Sequence, residues 1–477
     1  MNVVLKKWQA ALLVTITLFS ISTSIIMISD LDKPAHYNLL FLLPLMFSFI
    51  VFVFAKVIKG VLNNLGLTII LMLLFMRLVV SPFFLFLGGY IDKIAINVNQ
   101  NTQISILLVI YETVAIISTL FLLISKEKQY TDNITDCAKL TFVINKKYIS
   151  IIFVLVLFQI AIFIYTPEIL EAYRSIFDIK NKNFTHLEYL HIIRRYATSF
   201  PRRFSLVTGR YLMNLLKLIF PAAIILLING KKKSNFRLYI SYIVILTQFL
   251  MIDDAIARSF IYSTILFMLL NYIYSFDIKY IAKILILASI AVIAYWIIRL
   301  RVSDYNFFQY FSINFNAYFS GVNIVSGSFN LPRNIELRLK YFLYDYLKSI
   351  PYGNTIFSLD DTDMAIFFNS ANGTYGQIPT TIGSGYYYFG FLLAPIYSVI
   401  FTIMAYKMGV KLNRTSNLIS KTRYLFLIIT FAMGIIMYNI QITLTMIFST
   451  AVPMYIIERI AYGSPNKWMK ATDGCGG

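Results

Sequence analysis

"QISILLVIYETVAIISTLFLLIS", residues 103–125, carries a single charge, Glu112, in a run that is otherwise apolar or small and polar. A helix needs about 20 such residues to cross the ~30 Å hydrocarbon layer of a bilayer. Comparable runs occur at 8–29, 37–57, 66–88, 148–165, 210–229, 238–253, 258–276, 281–298, 386–406, 423–440 and 444–461, which brings the expected number of spans to twelve. The composition agrees. Of 477 residues 58% are hydrophobic and 13% charged, and the mean hydropathy is +0.72, whereas soluble domains carry about 25% charged residues. The expected fold is therefore all-α: one polytopic transmembrane domain over residues 1–477, with about 12 transmembrane helices and two long outer loops, 166–209 and 302–385, that contain short helices.

Several chemistries lack the residues they need. Two cysteines, Cys137 and Cys475, make neither a disulfide framework nor a Cys-based zinc site. No HExxH, CxxC, GxGxxG or phosphate-binding Gly-rich loop occurs, so no metal or cofactor is expected. The net charge of +20 lies in loops between apolar runs, which favours membrane lipids and anionic lipid-linked substrates over nucleic acid. Lys6 and Lys7 precede a long apolar run with no small-residue cleavage site after it, as in a retained signal anchor. The weakest break between spans is "YNIQITLTM", 438–446, and the tail 463–477 is polar.

Charge sets the orientation. With both termini cytoplasmic, the short lysine-rich loops, such as "GKKKSNFR" (230–237), fall inside. The inner segments then hold arginine only at Arg237, Arg414, Arg423 and Arg459, whereas Arg174, Arg194, Arg195, Arg202, Arg203, Arg210, Arg258, Arg299, Arg301, Arg333 and Arg338 face outward. Topology needs only positive charge. Arginine adds a planar fork of donors that grips phosphate bidentately and keeps its charge when partly desolvated. The densest cluster is "HIIRRYATSFPRRF", 191–204, in the first outer loop. It reads either as a diphosphate-binding segment, with Arg194, Arg195, Arg202, Arg203 and Arg210 as ligands, or as an anchor to lipid phosphates with Tyr196, Phe200 and Phe204 at the interface.

The second outer loop is balanced in charge. "NIELRLKYFLYDYLKSI", 334–350, repeats Ile335, Leu339, Phe342, Tyr346 and Ile350 at helical spacing, as expected of an amphipathic helix on the membrane surface. "NSANGTYGQIPTTIGSGYYYFG", 369–390, is rich in amides and aromatics that suit sugar binding as well as turns. Asn372, Tyr375 and Gln377 are its glycan-binding candidates. Within the spans, Arg77 and Glu112 are expected to pair, and Lys217 either points to a cavity or snorkels outward. Asp253, Asp254 and Arg258 crowd the outer turn "DDAIAR". Asp253, Asp254 and Asp304 lie near the outer membrane surface, with Arg258, Arg299 and Arg301, as candidates for acid–base and charge-stabilising roles. Glu336 and Asp345 come next.

This layout resembles the bacterial O-antigen polymerases (Wzy-type). Those proteins commonly close their large periplasmic loop with a Pro-Thr-x-Ile-Gly-like run and a Phe-Gly entry into the next span, matched here by Pro379, Thr380, Ile382 and Gly383, then Phe389 and Gly390. Arg258 matches the arginine they often carry before a mid-chain span. Ser384 departs from the acidic residue many of them hold after Ile-Gly. The related ligases depend on a histidine in the large loop, and residues 302–385 contain none; His186 and His191 are in the other loop. The resemblance implies a metal-independent glycosyltransferase of lipopolysaccharide biosynthesis in the bacterial inner membrane. It would act on undecaprenyl-diphosphate-linked oligosaccharide at the periplasmic face, with a polysaccharide chain-length regulator as a further partner. A lipid-linked oligosaccharide flippase and an O-antigen ligase are the competing readings.

Overall fold

The computed structural model describes residues 7–54, 64–91, 101–127, 145–173, 195–196, 199–230, 234–252, 256–276, 280, 305–319, 321–360, 362–374 and 376–463. Their regular structure is helical, with no β-strand among the described residues. The principal helices are α1 (Lys7–Ser29), α2 (Leu42–Phe54), α3 (Leu65–Leu87), α4 (Thr102–Glu127), α5 (Lys146–Tyr165), α6 (Phe200–Asn229), α7 (Asn235–Leu246), α8 (Ile256–Tyr274), α9 (Phe307–Tyr318), α10 (Val322–Gly327), α11 (Ile335–Leu347), α12 (Met364–Asn372), α13 (Thr381–Phe389), α14 (Ile396–Arg414), α15 (Leu418–Ile436) and α16 (Ile440–Tyr462). Among the described residues, seven helical segments are long and apolar enough to cross a membrane: Ala35–Phe52, α3, Thr102–Ser125, α5, α6, α15 and α16.

Several boundaries differ from expectation. The helix expected over 210–229 begins at Phe200, so the second pair of arginines, Arg202 and Arg203, lies in the first turn of α6 and not in a loop. Pro201 explains this. At a helix start its missing N–H costs nothing and its fixed φ favours the helix. The span expected at 386–406 is broken at Gly390, whose φ of +80° ends α13, and a helix resumes only at Ile396. The run at 238–253 forms only α7 and a short 3-10 turn, Thr247–Phe249. The span 281–298 lies outside the described residues.

The chain divides into two compact units, one of Met1–Asp136, Ala291–Asn413 and Ile428–Thr445, the other of Cys137–Ile290, Arg414–Leu427 and Met446–Gly477. In the first unit, α3 carries a π-helical turn, Met76–Val80, ahead of Pro82. The proline ring would press on the carbonyl four residues back, at Leu78, and the wide turn makes room for it. In α16 a π turn, Ile447–Ala451, likewise precedes Pro453. The α3 turn holds Arg77, whose Nη1 lies 2.6 Å from Glu112 Oε2 on α4, as expected from the sequence. Both side chains are buried, and Ser398 of α14 donates to the other carboxylate oxygen.

Small residues set the approach of α14 to α3. Asn64 caps α3 through Gly66 N and donates its amide to the Tyr406 carbonyl, 3.2 Å away. A Cβ at Gly66 would collide with the carbonyl of Ala405. Farther along the chain, Thr381 donates to the carbonyls of Gly434 and Tyr438, which the break between α15 and α16 leaves without helical partners. A core of Ile324, Leu331, Tyr341, Met364, Phe368 and Tyr387 joins the helices of the expected second outer loop.

Candidate functional site

In the second unit, α6 carries Arg203, Arg210, Asn214 and Lys217. Steps of seven, four and three residues put them along one face of the helix. Arg203 is exposed, Arg210 half-buried, and Asn214 and Lys217 buried. The row thus runs from solvent into the protein over about 21 Å, at 1.5 Å per residue. From α8, Arg258 Nη1 donates to Asn214 Oδ1 at 3.1 Å, which adds a third guanidinium to the row. Lys217 Nζ donates to the Met251 carbonyl at 2.6 Å and to Ser259 Oγ at 3.1 Å, and Gln248 Nε2 donates to the Lys217 carbonyl at 2.7 Å. Lys217 therefore points inward and does not snorkel.

The segment before α6 is held against it. Ile169, Ala172, Tyr173 and Leu206 form a small core, and Thr166 and Ser205 share a 3.0 Å hydroxyl contact. Arg202 faces this segment and pairs with Glu168 at 2.7 Å. The 3.6-residue period of the helix thus separates the two neighbours: Arg203 joins the cationic row and Arg202 a salt bridge. Arg195 lies over the ring of Tyr196, 5.6 Å from its centroid.

The structure brings Arg203, Arg210 and Arg258 to one face, and adds Asn214 and Lys217 to them. Asn214 was missed because one amide in an apolar span gives no signal until the helix is known to start at Phe200. Arg194, Asp253, Asp254, Arg299, Arg301, Asp304 and Tyr375 lie outside the described residues. Chemically, the row offers several fixed cationic donors in surroundings drier than bulk water. There, attraction to a phosphate is stronger than at an open surface.

The expected glycan-binding amides are placed differently. Asn372 is buried: its Nδ2 donates to the carbonyls of Gly327 and Phe368, and its Oδ1 accepts from Asn330. Gln377 is also buried, and its backbone N–H and carbonyl both bond to the Asn369 side chain. These amides close the loop onto itself, because a buried backbone bend needs its polar groups satisfied. Thr380 caps α13 through Gly383 N, so the Pro-Thr-Thr-Ile-Gly run forms a helix start packed in the interior.

Asp345 of α11 is fully buried, and Tyr388 of α13 donates to its Oδ2 at 2.7 Å. Its Oδ1 has no hydrogen-bond partner among the described residues. Burial pushes the carboxyl up to about 7, against the lowering effect of the Tyr388 bond. The folded protein then holds a proton that the unfolded chain releases near pH 4. This contribution to stability is complete below that pH, declines as pH rises, and is lost above about 7. Asp345→Asn, which cannot ionise, is expected to flatten the fall in stability between pH 5 and 8 by about 2–3 kcal/mol. Chemical denaturation of the detergent-solubilised protein at both pH values measures this, and equal slopes for the two proteins would contradict it.

No protein-family model, curated protein or solved structure compared with this chain matches it.

Proposed function

We propose that the protein polymerises lipid-linked oligosaccharides, moving the growing undecaprenyl-diphosphate-linked glycan onto a new lipid-linked repeat unit at the periplasmic face of the bacterial inner membrane. The observation that carries this reading is the cationic row of α6, joined by Arg258 through its 3.1 Å bond to Asn214. A diphosphate suits such a row. Its two phosphates span several ångströms, and its lipid tail keeps it beside apolar helices.

In this reading the acceptor hydroxyl attacks the anomeric carbon of the growing chain. The bond from that carbon to the diphosphate oxygen breaks, and undecaprenyl diphosphate leaves with the electron pair. Arg203, Arg210 and Arg258 stabilise the charge that builds on it, as fixed donors aimed at developing charge do. The hydroxyl proton passes to a carboxylate, for which Asp253 and Asp254, directly before α8, are the nearest candidates in sequence. The twelve-span arrangement with both termini cytoplasmic belongs to the same proposal, since it turns the start of α6 outward.

Purified protein in vesicles, given a lipid-linked repeat unit, tests the reading. A ladder of glycan lengths on a gel is the expected result. Transfer only to lipid A core would make the protein a ligase, and passage across the vesicle wall with no covalent change would make it a flippase.

A further inference from the structure

The helix α11 is apolar on the side that faces away from the protein as well as on the side packed into it. Its inward side carries Tyr341 and Asp345, with Lys348 just beyond its end, all buried. Lys348 donates to the carbonyls of Asp360 and Thr362, and Asp345 accepts from Tyr388. The outward side carries Ile335 (72% exposed), Leu339 (58%) and Leu343 (52%), with Ile350 beyond the end. A helix on a water-facing surface carries charged and polar residues on its outer side. Contiguous exposed apolar stripes on proteins mark contact with something other than water.

The surroundings identify what that is. Tyr111 donates to the Leu392 carbonyl at 2.8 Å and stacks on Phe391 at 5.6 Å. Ser398, six residues on, bonds Glu112. Tyr111 is nine residues into α4, about 14 Å from its start at 1.5 Å per residue. That is close to half of a ~30 Å hydrocarbon layer. Leu392, 77% exposed, therefore lies at hydrocarbon depth beside a span. The outward stripe of α11 continues this lipid-facing surface. The Phe342 ring lies 5.7 Å from that of Phe389, and Tyr346 and Tyr397 share a 2.7 Å hydroxyl contact. At the other end, exposed Arg333 covers the Tyr386 ring at 5.1 Å, a basic and aromatic pair of the kind found at head-group level.

We propose that α11 lies in the plane of the bilayer, its Ile335, Leu339 and Leu343 side chains inserted among the acyl chains of the leaflet at the Thr102 end of α4. The occupant of the stripe is bilayer lipid, not a second copy of the chain or a soluble partner. The proposal stands apart from the reaction assigned above, because it rests on the apolar stripe and its depth alone.

Fluorescence quenching tests it on the full chain with Cys137→Ser and Cys475→Ser. Leu339→Cys, Leu343→Cys and, for contrast, Lys340→Cys each take an environment-sensitive dye. Each is placed in phosphatidylcholine–phosphatidylglycerol vesicles whose lipids carry a doxyl group near the head-group end of the acyl chain. The expected result is at least about two-fold stronger quenching and bluer emission at the two leucine positions than at Lys340, independent of the protein-to-lipid ratio. Equal quenching at all three positions would overturn the proposal. So would leucine-site burial that appears only at high protein density, with disulfide cross-linking between copies of the same cysteine variants left unlabelled, which would assign the stripe to a second copy.

Discussion

Arg77→Met is expected to destabilise the folded protein by about 3–5 kcal/mol, because it strands the Glu112 carboxylate in an interior from which water is excluded. The pair is buried on both sides, at 2% and 0% exposure, so its loss cannot be offset by solvent. Ser398 remains on the carboxylate but supplies one neutral donor where a cation stood. The double variant Arg77→Met/Glu112→Met is expected to recover most of the loss, since two apolar side chains of similar volume leave no charge behind. Denaturant titration of the purified protein in detergent reads both. Single and double variants equally destabilised would mean that packing in the π turn, not the charge, is what matters there.

Arg258→Ala and Arg210→Ala are each expected to slow formation of the glycan ladder by about 100- to 1000-fold, the usual cost of removing a donor aimed at developing charge. Arg258→Lys is expected to recover little, because an ammonium cannot hold Asn214 and a phosphate with one planar fork. Arg202→Ala provides the contrast. Its guanidinium is engaged by Glu168, a little over a quarter of a turn around α6 from Arg203, and polymerisation is expected to fall by less than about three-fold, in line with the modest worth of exposed ion pairs. Ladder formation rates on one substrate preparation separate these outcomes. A loss at Arg202 as large as at Arg258 would sink the assignment of the row.

Hydropathy in the sequence was enough to find most of the apolar helices, because a span of about 20 apolar residues has few other uses. The pairing of Arg77 with Glu112 was legible for a related reason: an ionised side chain inside a span needs a partner, and few were within reach. What stayed hidden depended on direction. Composition cannot tell whether an amide faces a ligand or a carbonyl, so Asn372 and Gln377 read as glycan-binding candidates although they are buried. The amphipathic pattern of 334–350 was visible, but not which side of the helix turns inward. The break at Gly390 was invisible to hydropathy, which carries no information about φ. The grouping of Arg203 with Lys217 required one fact that Pro201 obscured, namely that the helix already runs at residue 200.

The length of α6 has a mechanical consequence. At 30 residues it measures about 45 Å, some 15 Å more than the ~30 Å hydrocarbon layer of a bilayer. A helix that overshoots by this much either leans or stands clear of the lipid. If the excess stands out at its basic end, about ten residues clear the lipid as a rigid post, with Arg203 near the tip, Arg210 at the surface and Lys217 about 10 Å below it. An amphiphile drawn along such a post is lifted by its head while its tail stays dissolved below. In the proposed reaction the diphosphate would be held at the drier middle of the row, by Arg210 and Arg258, while the glycan extends past Arg203 into the water above the head-groups.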